Sequence, residues 1–299
     1  AFIGIILSTL IGLLIGIARL SNNYLISKLA GGYIELFRNV PVLLQILFWY
    51  NLFINVFPHP KQSFSFFDLA FLNQRGLYLP KPIPEEGFLF VVLAFIIGII
   101  ATYFVKRFYK KKHELTGVHT STWPITLSLV IGLPIIVYLL SGSPLQFDFA
   151  ILGKFNLKGG MAVVPEFLAL AFALSVYTAT YIAEAIRSGI EAVDKGQKEA
   201  ASAIGLTQIQ SLKLIVLPQA LRVAIPPTIN QYLNLTKNSS LATVIGYPEL
   251  MSTFGGTVLN QVGQAVEILG MAMLVYLVIS LFISLLLNYV NKKMAIQGR

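Results

Sequence analysis

The chain has 299 residues, of which 56% are hydrophobic and 12% are charged, and its mean hydropathy is +0.75. Soluble domains carry about 25% charged residues, so this composition excludes an ordinary soluble domain and predicts an integral membrane protein. The absence of cysteine excludes disulfides and thiolate metal sites. A net charge of +9 would fit a nucleic-acid-binding protein. In a membrane protein, however, it indicates basic residues that are gathered on the cytoplasmic loops.

Seven apolar stretches are candidates for membrane spans. They are residues 2–17, 40–57, 88–105, 123–140, 165–186, 218–236 and 266–290. The first would be about 24 Å long as a helix, against a hydrocarbon core of about 30 Å, so we expect the natural protein to start further upstream. Pro218, Pro226 and Pro227 predict a kinked sixth span. The sequence therefore predicts an all-α polytopic helical bundle of about seven spans.

The distribution of basic residues predicts how these spans are oriented in the membrane. With the 187–217 loop on the inner side, 16 of the 22 lysines and arginines lie on or beside the inner segments 18–39, 106–122, 187–217 and 291–299. Cytoplasmic loops are enriched in lysine and arginine. This asymmetry predicts a multi-pass protein with a cytoplasmic C-terminus.

The outer segments are expected to be irregular. Residues 58–87 are rich in proline and phenylalanine, and we expect them to form an irregular cap on the membrane surface. A second outer segment, 141–165, returns the chain to the membrane. Residues 58–164 together look like an insertion that carries two extra spans.

Small residues recur every four positions in two of the predicted spans. They are Gly4, Ser8, Gly12 and Gly16 in the first span, and Ala171, Ser175, Ala179 and Ala183 in the fifth. Such stripes let membrane helices pack backbone to backbone. The pattern fits both an interface that slides during transport and a static contact.

Residues 199–218 read EAASAIGLTQIQSLKLIVLP and lie between two apolar stretches. Ala200 and Ala201 give a helix a face of low bulk, which another protein can approach closely. Gly205 suits the position just past a helix end, where a positive φ is often needed. Pro218 suits the first turn of the next helix. The pattern predicts a helix, a tight turn, a second helix and then entry into the membrane.

This stretch resembles the cytoplasmic loop of ABC-importer permeases, with the pattern E-A-A, three residues, G, nine residues, I-x-L-P. The matching residues are Glu199, Ala200, Ala201, Gly205, Ile215, Leu217 and Pro218. In that family the loop docks in a cleft of a separate ATPase subunit and transmits its movement. The alternative is an ordinary surface helix-turn-helix, which does not account for seven positions at fixed spacing.

Two further stretches narrow the resemblance. ELFRNVPVLLQILFWY (35–50) and AEAIRSGIEAVDKGQKEAA (183–201) resemble the polar-amino-acid branch of these permeases. The long form of that branch, found in general or acidic amino-acid importers, has an added segment like residues 58–164. The resemblance therefore implies two core spans in 1–57, an insertion, and core spans with the cytoplasmic coupling loop in 165–299.

Polar residues in or beside the spans are candidates for the amino-acid path, because polar groups at membrane depth are costly unless they face protein or water. The candidates are Arg38, Gln45, Thr178, Glu184, Asn230, Asn234, Lys237 and Ser239. Plainer explanations remain open. Arg38 would snorkel to headgroups, Glu184 would pair with Arg187, and the others would bond between helices or lie in an interfacial loop.

The chain lacks the motifs of several site types. It has no G-x-x-x-x-G-K-[ST] or G-x-G-x-x-G, so no ATP or dinucleotide site is recognisable. It has no G-x-S-x-G or H-E-x-x-H, and its three histidines do not have a metal-ligand spacing. We therefore predict no catalytic residue, metal or cofactor in this chain. The family resemblance implies that ATP and Mg²⁺ are bound by a partner ATPase.

The resemblance implies a permease subunit of an ATP-driven importer of polar or general L-amino acids in the bacterial inner membrane. Its implied partners are two ATPase copies, a second and different permease, an extracytoplasmic amino-acid-binding protein and the lipid bilayer, without nucleic acid. The alternative is a secondary amino-acid transporter or channel that works without an ATPase. A membrane-embedded enzyme or scaffold would need a catalytic constellation that the sequence lacks.

Overall fold

The computed structural model describes residues 1–117, 121–153 and 157–294, so His119 and Arg299 lie outside the described residues. Its helices are α1 (Phe2–Arg19), α2 (Tyr24–Asn39), α3 (Val42–Val56), α4 (Phe88–Thr116), α5 (Trp123–Leu127), α6 (Leu133–Leu140), α7 (Pro165–Glu191), α8 (Lys195–Ala203), α9 (Gln208–Ser211), α10 (Leu217–Asn238), α11 (Leu259–Val262) and α12 (Ala265–Met294). The chain divides into two compact units. The first is Ala1–His59, Asn73–Leu77 and Val163–Arg299, and the second is Pro60–Leu72 and Tyr78–Ala162.

Six helical segments of the described chain are long and apolar enough to cross a membrane. They are Phe2–Arg19, Phe88–Thr116, Trp123–Leu140, Pro165–Glu191, Gln208–Ile245 and Ala265–Tyr289. Two of these segments include π-helical turns, at Ser128–Gly132 and Leu212–Val216. The predicted bundle of about seven spans is confirmed if the bent pair α2 and α3 counts as one further span.

The second predicted span, 40–57, differs from the prediction. Helix α3 has 15 residues and meets α2 at a bend of 102°. Val40 is extended at this bend, with φ −91° and ψ 128°, because the residue before a proline disfavours the helical conformation. The Gln45 side chain, 4% exposed, bridges the bend: its Nε2 donates to the carbonyl oxygens of Phe37 at 2.7 Å and Val40 at 2.9 Å.

Helix α7 is the central helix of the first unit. In its most apolar stretch of 18 residues, 61% of the residues are buried. In every other span-length helix of the described chain, the corresponding share is 22% or less. It packs against α1, α2, α3 and α10. Leu170 and Leu174 of α7 form a buried cluster with Ile46 of α3 and Leu235 of α10.

The two predicted small-residue stripes meet where α1 packs on α7. A Cβ atom added to Gly12 would lie 2.7 Å from the Cβ of Ile182 and 3.0 Å from the carbonyl oxygen of Ala179. A Cβ atom added to Gly16 would lie 3.0 Å from the carbonyl oxygen of Ala183. Backbone-to-backbone packing is therefore confirmed, and sliding of this interface stays a prediction.

The second unit contains short strands. The strands of the described chain are β1 (Phe64–Phe66), β2 (Ala70–Asn73), β3 (Gly76–Leu79), β4 (Lys81–Pro84), β5 (Leu145–Asp148), β6 (Ile151–Leu152), β7 (Leu157–Lys158) and β8 (Met161–Val163). β4 and β5 pair antiparallel from Lys81↔Asp148 to Pro84↔Leu145, and β1 pairs antiparallel with β2. The expectation of an irregular 58–87 segment is wrong. Prolines are tolerated in β4 because it pairs in a two-stranded sheet and keeps a free edge.

Glu249 organises the connection between α10 and α12. Its Oε1 accepts a hydrogen bond from the backbone N–H of Ser252 at 2.7 Å and one from the hydroxyl of Thr243. Its Oε2 accepts a hydrogen bond from the hydroxyl of Tyr276 in α12 at 2.7 Å. Burial raises the pKa of Glu249, but the hydrogen bonds from Thr243, Met251, Tyr276 and Ser252 outweigh it and hold the pKa below 4.5.

The α1–α7 contact predicts a strong response to one added methyl group. Gly12→Ala should lower the free energy of unfolding by about 1–3 kcal/mol, because the new atom overpacks against Ile182. Gly32→Ala is the matched control, since an added Cβ atom there meets nothing within 4 Å. Thermal unfolding in detergent measures both variants, and equal loss of stability in the two would contradict the close contact.

Glu249 predicts a stability difference that depends on pH. Glu249→Gln should lower the free energy of unfolding by about 1–3 kcal/mol at pH 7, because an amide has one acceptor oxygen for the four donors named above. A depressed native pKa stabilises the fold above the unfolded pKa, so the difference should shrink as pH falls through and below 4.5. Unfolding of this variant and of Glu267→Gln, an exposed control, is compared across pH. A difference that persists at low pH would refute the role of the carboxylate.

Candidate functional site

The 187–217 loop has the predicted helix-turn-helix form. Helix α7 extends to Glu191, and the Asp194 carboxylate then caps α8 by accepting a hydrogen bond from the Gly196 N–H at 2.9 Å. Helix α8 ends in a Schellman motif, in which the N–H of Leu206 donates to the Ala201 carbonyl at 3.1 Å. Gly205 has φ +80°, so the predicted positive φ is confirmed.

Helix α9 begins three residues after Gly205 with a capping box. The Thr207 hydroxyl accepts a hydrogen bond from the Gln210 N–H at 3.3 Å, and the Gln210 side chain accepts one from the Thr207 N–H at 2.9 Å. The π-helical turn then leads into α10, with Pro218 in its first turn as predicted. Hydrogen bonds therefore fix both helix ends at the turn, and the turn has a defined shape.

The outer surface of this turn is apolar and uncovered. Ile204 is 74% exposed and Ile209 is 66% exposed. Among the seven residues of the motif, Ala201 is buried, Ile215 is half-buried and the others are exposed. Exposed apolar side chains on an ordered turn are typical of a surface that binds another protein.

A small buried cluster joins the base of the loop to two spans. Val193, Val216 and Ala220 are buried together, and Ile190 of α7 packs against them. Close by, a Cβ atom added to Gly189 of α7 would lie 2.6 Å from the carbonyl oxygen of Ala220 in α10. The base of the loop is therefore packed directly against α7 and α10.

Two of the predicted path residues lie along the side of α7 that α2 approaches. The guanidinium carbon of Arg38 is 5.7 Å from the centre of the Tyr181 ring, and the Tyr181 hydroxyl is 2.9 Å from that of Tyr177. Glu184 forms an ion pair with Arg187 at 2.5 Å, and Arg187 also pairs with Glu191. Tyr177 was not predicted as a path residue, although its i,i+4 spacing to Tyr181 is visible in the sequence.

A second polar stripe lies on α10. Asn230, Asn234 and Lys237 are all exposed and recur at one-turn intervals, so they share one face of the helix. Lys237 also borders an apolar groove of about 830 Å³ along α12. This face brings together three of the predicted path residues.

The other predicted path residues are less exposed than the stripe on α10. Gln45 and Thr178 are 4% and 3% exposed, and Ser239 donates to the carbonyl oxygen of Thr236 at 2.7 Å. Within the described ranges, no group of three or more His, Asp or Glu side chains has the arrangement of a metal site.

Comparison with known proteins places these features in one family. The family described as "Binding-protein-dependent transport system inner membrane component" matches residues 8–296. The chain is 51% identical to the putative amino-acid ABC transporter permease protein YhdX of Escherichia coli, over 99% of this chain and 75% of that protein. It is 49% identical to the general L-amino acid transport system permease protein AapQ of Rhizobium johnstonii, over 100% of this chain and 74% of that protein.

Two further matches agree. The glutamate/glutamine/aspartate/asparagine transport system permease protein BztB of Rhodobacter capsulatus is 39% identical, over 95% of this chain and 73% of that protein. A crystal structure of an amino acid ABC transporter with histidines has the same fold, with a TM-score of 0.56 and 20% identity over 98% of this chain and 87% of that one. The chain therefore belongs to the inner-membrane permease components of binding-protein-dependent ABC transport systems.

Proposed function

We propose that this permease takes up polar L-amino acids across the bacterial inner membrane, using ATP hydrolysed by a separate subunit. The capped α8–α9 turn carries the proposal, because it presents exposed apolar residues beyond a base that packs on α7 and α10. The names of the relatives AapQ and BztB support the substrate class, since both are permeases of amino-acid systems.

The proposed partners follow from what this chain lacks. It has no P-loop, so two copies of an ATPase subunit hold ATP and Mg²⁺ and receive the α8–α9 turns of two permeases. The second permease is a different chain. An extracytoplasmic protein delivers the amino acid to the outer segments, as the name of the family supports. In this arrangement the C-terminus lies in the cytoplasm.

Transport in this proposal is an exchange between two packings of the spans. ATP binding closes the ATPase dimer and displaces the α8–α9 turn. The Val193–Val216–Ala220 cluster passes the displacement to α7 and α10. A ligand shifts such an equilibrium only by its differential affinity for the two states, and about 5.5 kcal/mol is enough to move it from 1:99 to 99:1.

The exposed stripe on α10 is the proposed amino-acid path. The amides of Asn230 and Asn234 donate and accept hydrogen bonds, and the ammonium of Lys237 attracts a carboxylate. Both groups suit an α-amino acid, and polar groups at membrane depth are favourable where they face water or substrate. Arg38 and Glu184 are the proposed second part of the path, while Gln45, Thr178 and Ser239 are proposed to support it from their more enclosed positions.

Gly205 tests the coupling role of the turn. Gly205→Leu should lower amino-acid uptake by about tenfold or more, because a leucine at φ +80° is strained by about 1–2 kcal/mol and adds bulk at the docking surface. Gly142→Leu is the matched control, with φ +77° and nothing within 4 Å of an added Cβ atom. Uptake by membrane vesicles is compared at equal protein abundance. Normal uptake by the Gly205 variant would remove the coupling account.

Asn230 and Asn234 test the path. Replacing either with leucine should raise the KM for uptake or change the order of preferred amino acids, because each substitution removes one amide partner of the substrate. Asn288→Leu makes the same change on an exposed position of α12 and should leave both unchanged. Competition uptake with a panel of L-amino acids provides the measurement. Identical profiles for all three variants and the parent chain would refute the path.

A further inference from the structure

Helix α4 extends beyond the apolar layer of a membrane. Its 29 residues span about 43 Å, against a hydrocarbon core of about 30 Å. The sequence becomes basic from Lys106, about 27 Å along the helix from Phe88. Lys106, Lys110 and His113 follow at i, i+4 and i+7, so they lie on one helix face at the level of lipid headgroups.

Ser121 and Thr122 make this basic face concave. The N–H of Gly117 donates to the His113 carbonyl at 2.9 Å, and Gly117 has φ +69°, so the helix stops there. Ser121 and Thr122, at the start of the next span, line a cavity of about 390 Å³ together with the basic face. The cavity therefore combines cationic groups with two hydroxyl donors.

The charge in this cavity is positive. Glu114 is the only acidic residue between 87 and 147, and its pair with Lys110 is long, at 3.9 Å, and well exposed. Such exposed pairs are weak, so Lys110 keeps most of its attraction for another anion. Arg107, Lys111 and Lys112 add positive charge nearby without lining the cavity.

The aromatic residues that line the cavity are typical of the membrane–water interface. Tyr109 lines it from α4, and Trp123, 66% exposed, lines it from α5. Tyrosine and tryptophan concentrate at the membrane–water interface, where one part of the ring system is apolar and the other is hydrated. Phe104 and Phe108, both exposed on α4, extend the apolar surface beside the cavity.

We propose that this cavity binds the phosphate of an anionic phospholipid, with Lys106 and Lys110 as its cationic ligands and the hydroxyls of Ser121 and Thr122 as donors. The acyl chains lie along the exposed apolar surface of α4. A soluble polyphosphate fits less well, because the cavity has no glycine-rich loop to surround it. The bound lipid joins the two inserted spans at their shared end.

Paired charge removals test the site in the full chain. Lys106→Gln with Lys110→Gln removes two charges from the cavity, and Lys111→Gln with Lys112→Gln removes two charges from the same helix outside it. All four side chains are exposed, so neither double substitution changes a buried contact. Native mass spectrometry measures binding of phosphatidylglycerol and of phosphatidylcholine to each purified protein.

The first pair should lower the affinity for phosphatidylglycerol by about fivefold per lysine, with little change for phosphatidylcholine, and the second pair should have little effect on either. Equal losses in the two pairs would show nonspecific attraction and overturn the site, as would no loss in the first. Inorganic phosphate is added as a competitor. Displacement of phosphatidylglycerol by phosphate, with the same dependence on Lys106 and Lys110, would assign the site to soluble phosphate and overturn the lipid proposal.

Discussion

The close approach of α1 and α10 to the backbone of α7 is the constraint on which the first unit depends. Between membrane helices the hydrophobic effect gives little drive, so van der Waals packing must hold them together. Gly12 brings α1 against the Ala179 carbonyl, and Gly189 of α7 meets the Ala220 carbonyl of α10. With both faces in backbone contact, α7 cannot shift without moving its neighbours.

This constraint supports the proposal that the small exposed turn acts on α7 and α10. The turn is held rigid by a Schellman motif and a capping box, and its base shares a buried cluster with α7 and α10. In the proposed transport cycle, a push on the turn therefore reaches packed helices and is not absorbed by a flexible loop.

Features with local causes were predictable from the sequence. Apolar runs predicted the spans, and Gly205 and Pro218 marked the turn because their backbone preferences depend on few neighbours. Long-range features were not predictable. The hydrogen bonds of Glu249, for example, depend on Tyr276 in a later helix. The prolines of β4 are unfavourable in a central strand, so this strand could not be predicted before its edge position was known. For the proposed amino-acid path, the polar residues and their one-turn spacing on α10 are visible in the sequence, but the fold was needed to show which of them are exposed.

The most direct test is a cross-link from the α8–α9 turn to an ATPase. The chain has no cysteine, so Ile204→Cys introduces a single thiol at a site that is 74% exposed. This variant is co-expressed with the neighbouring genes, labelled with a thiol-specific photocross-linker and irradiated with and without ATP. The account predicts a cross-link to an ATPase subunit whose yield changes with ATP. Full amino-acid uptake without any cross-link to an ATPase would contradict it.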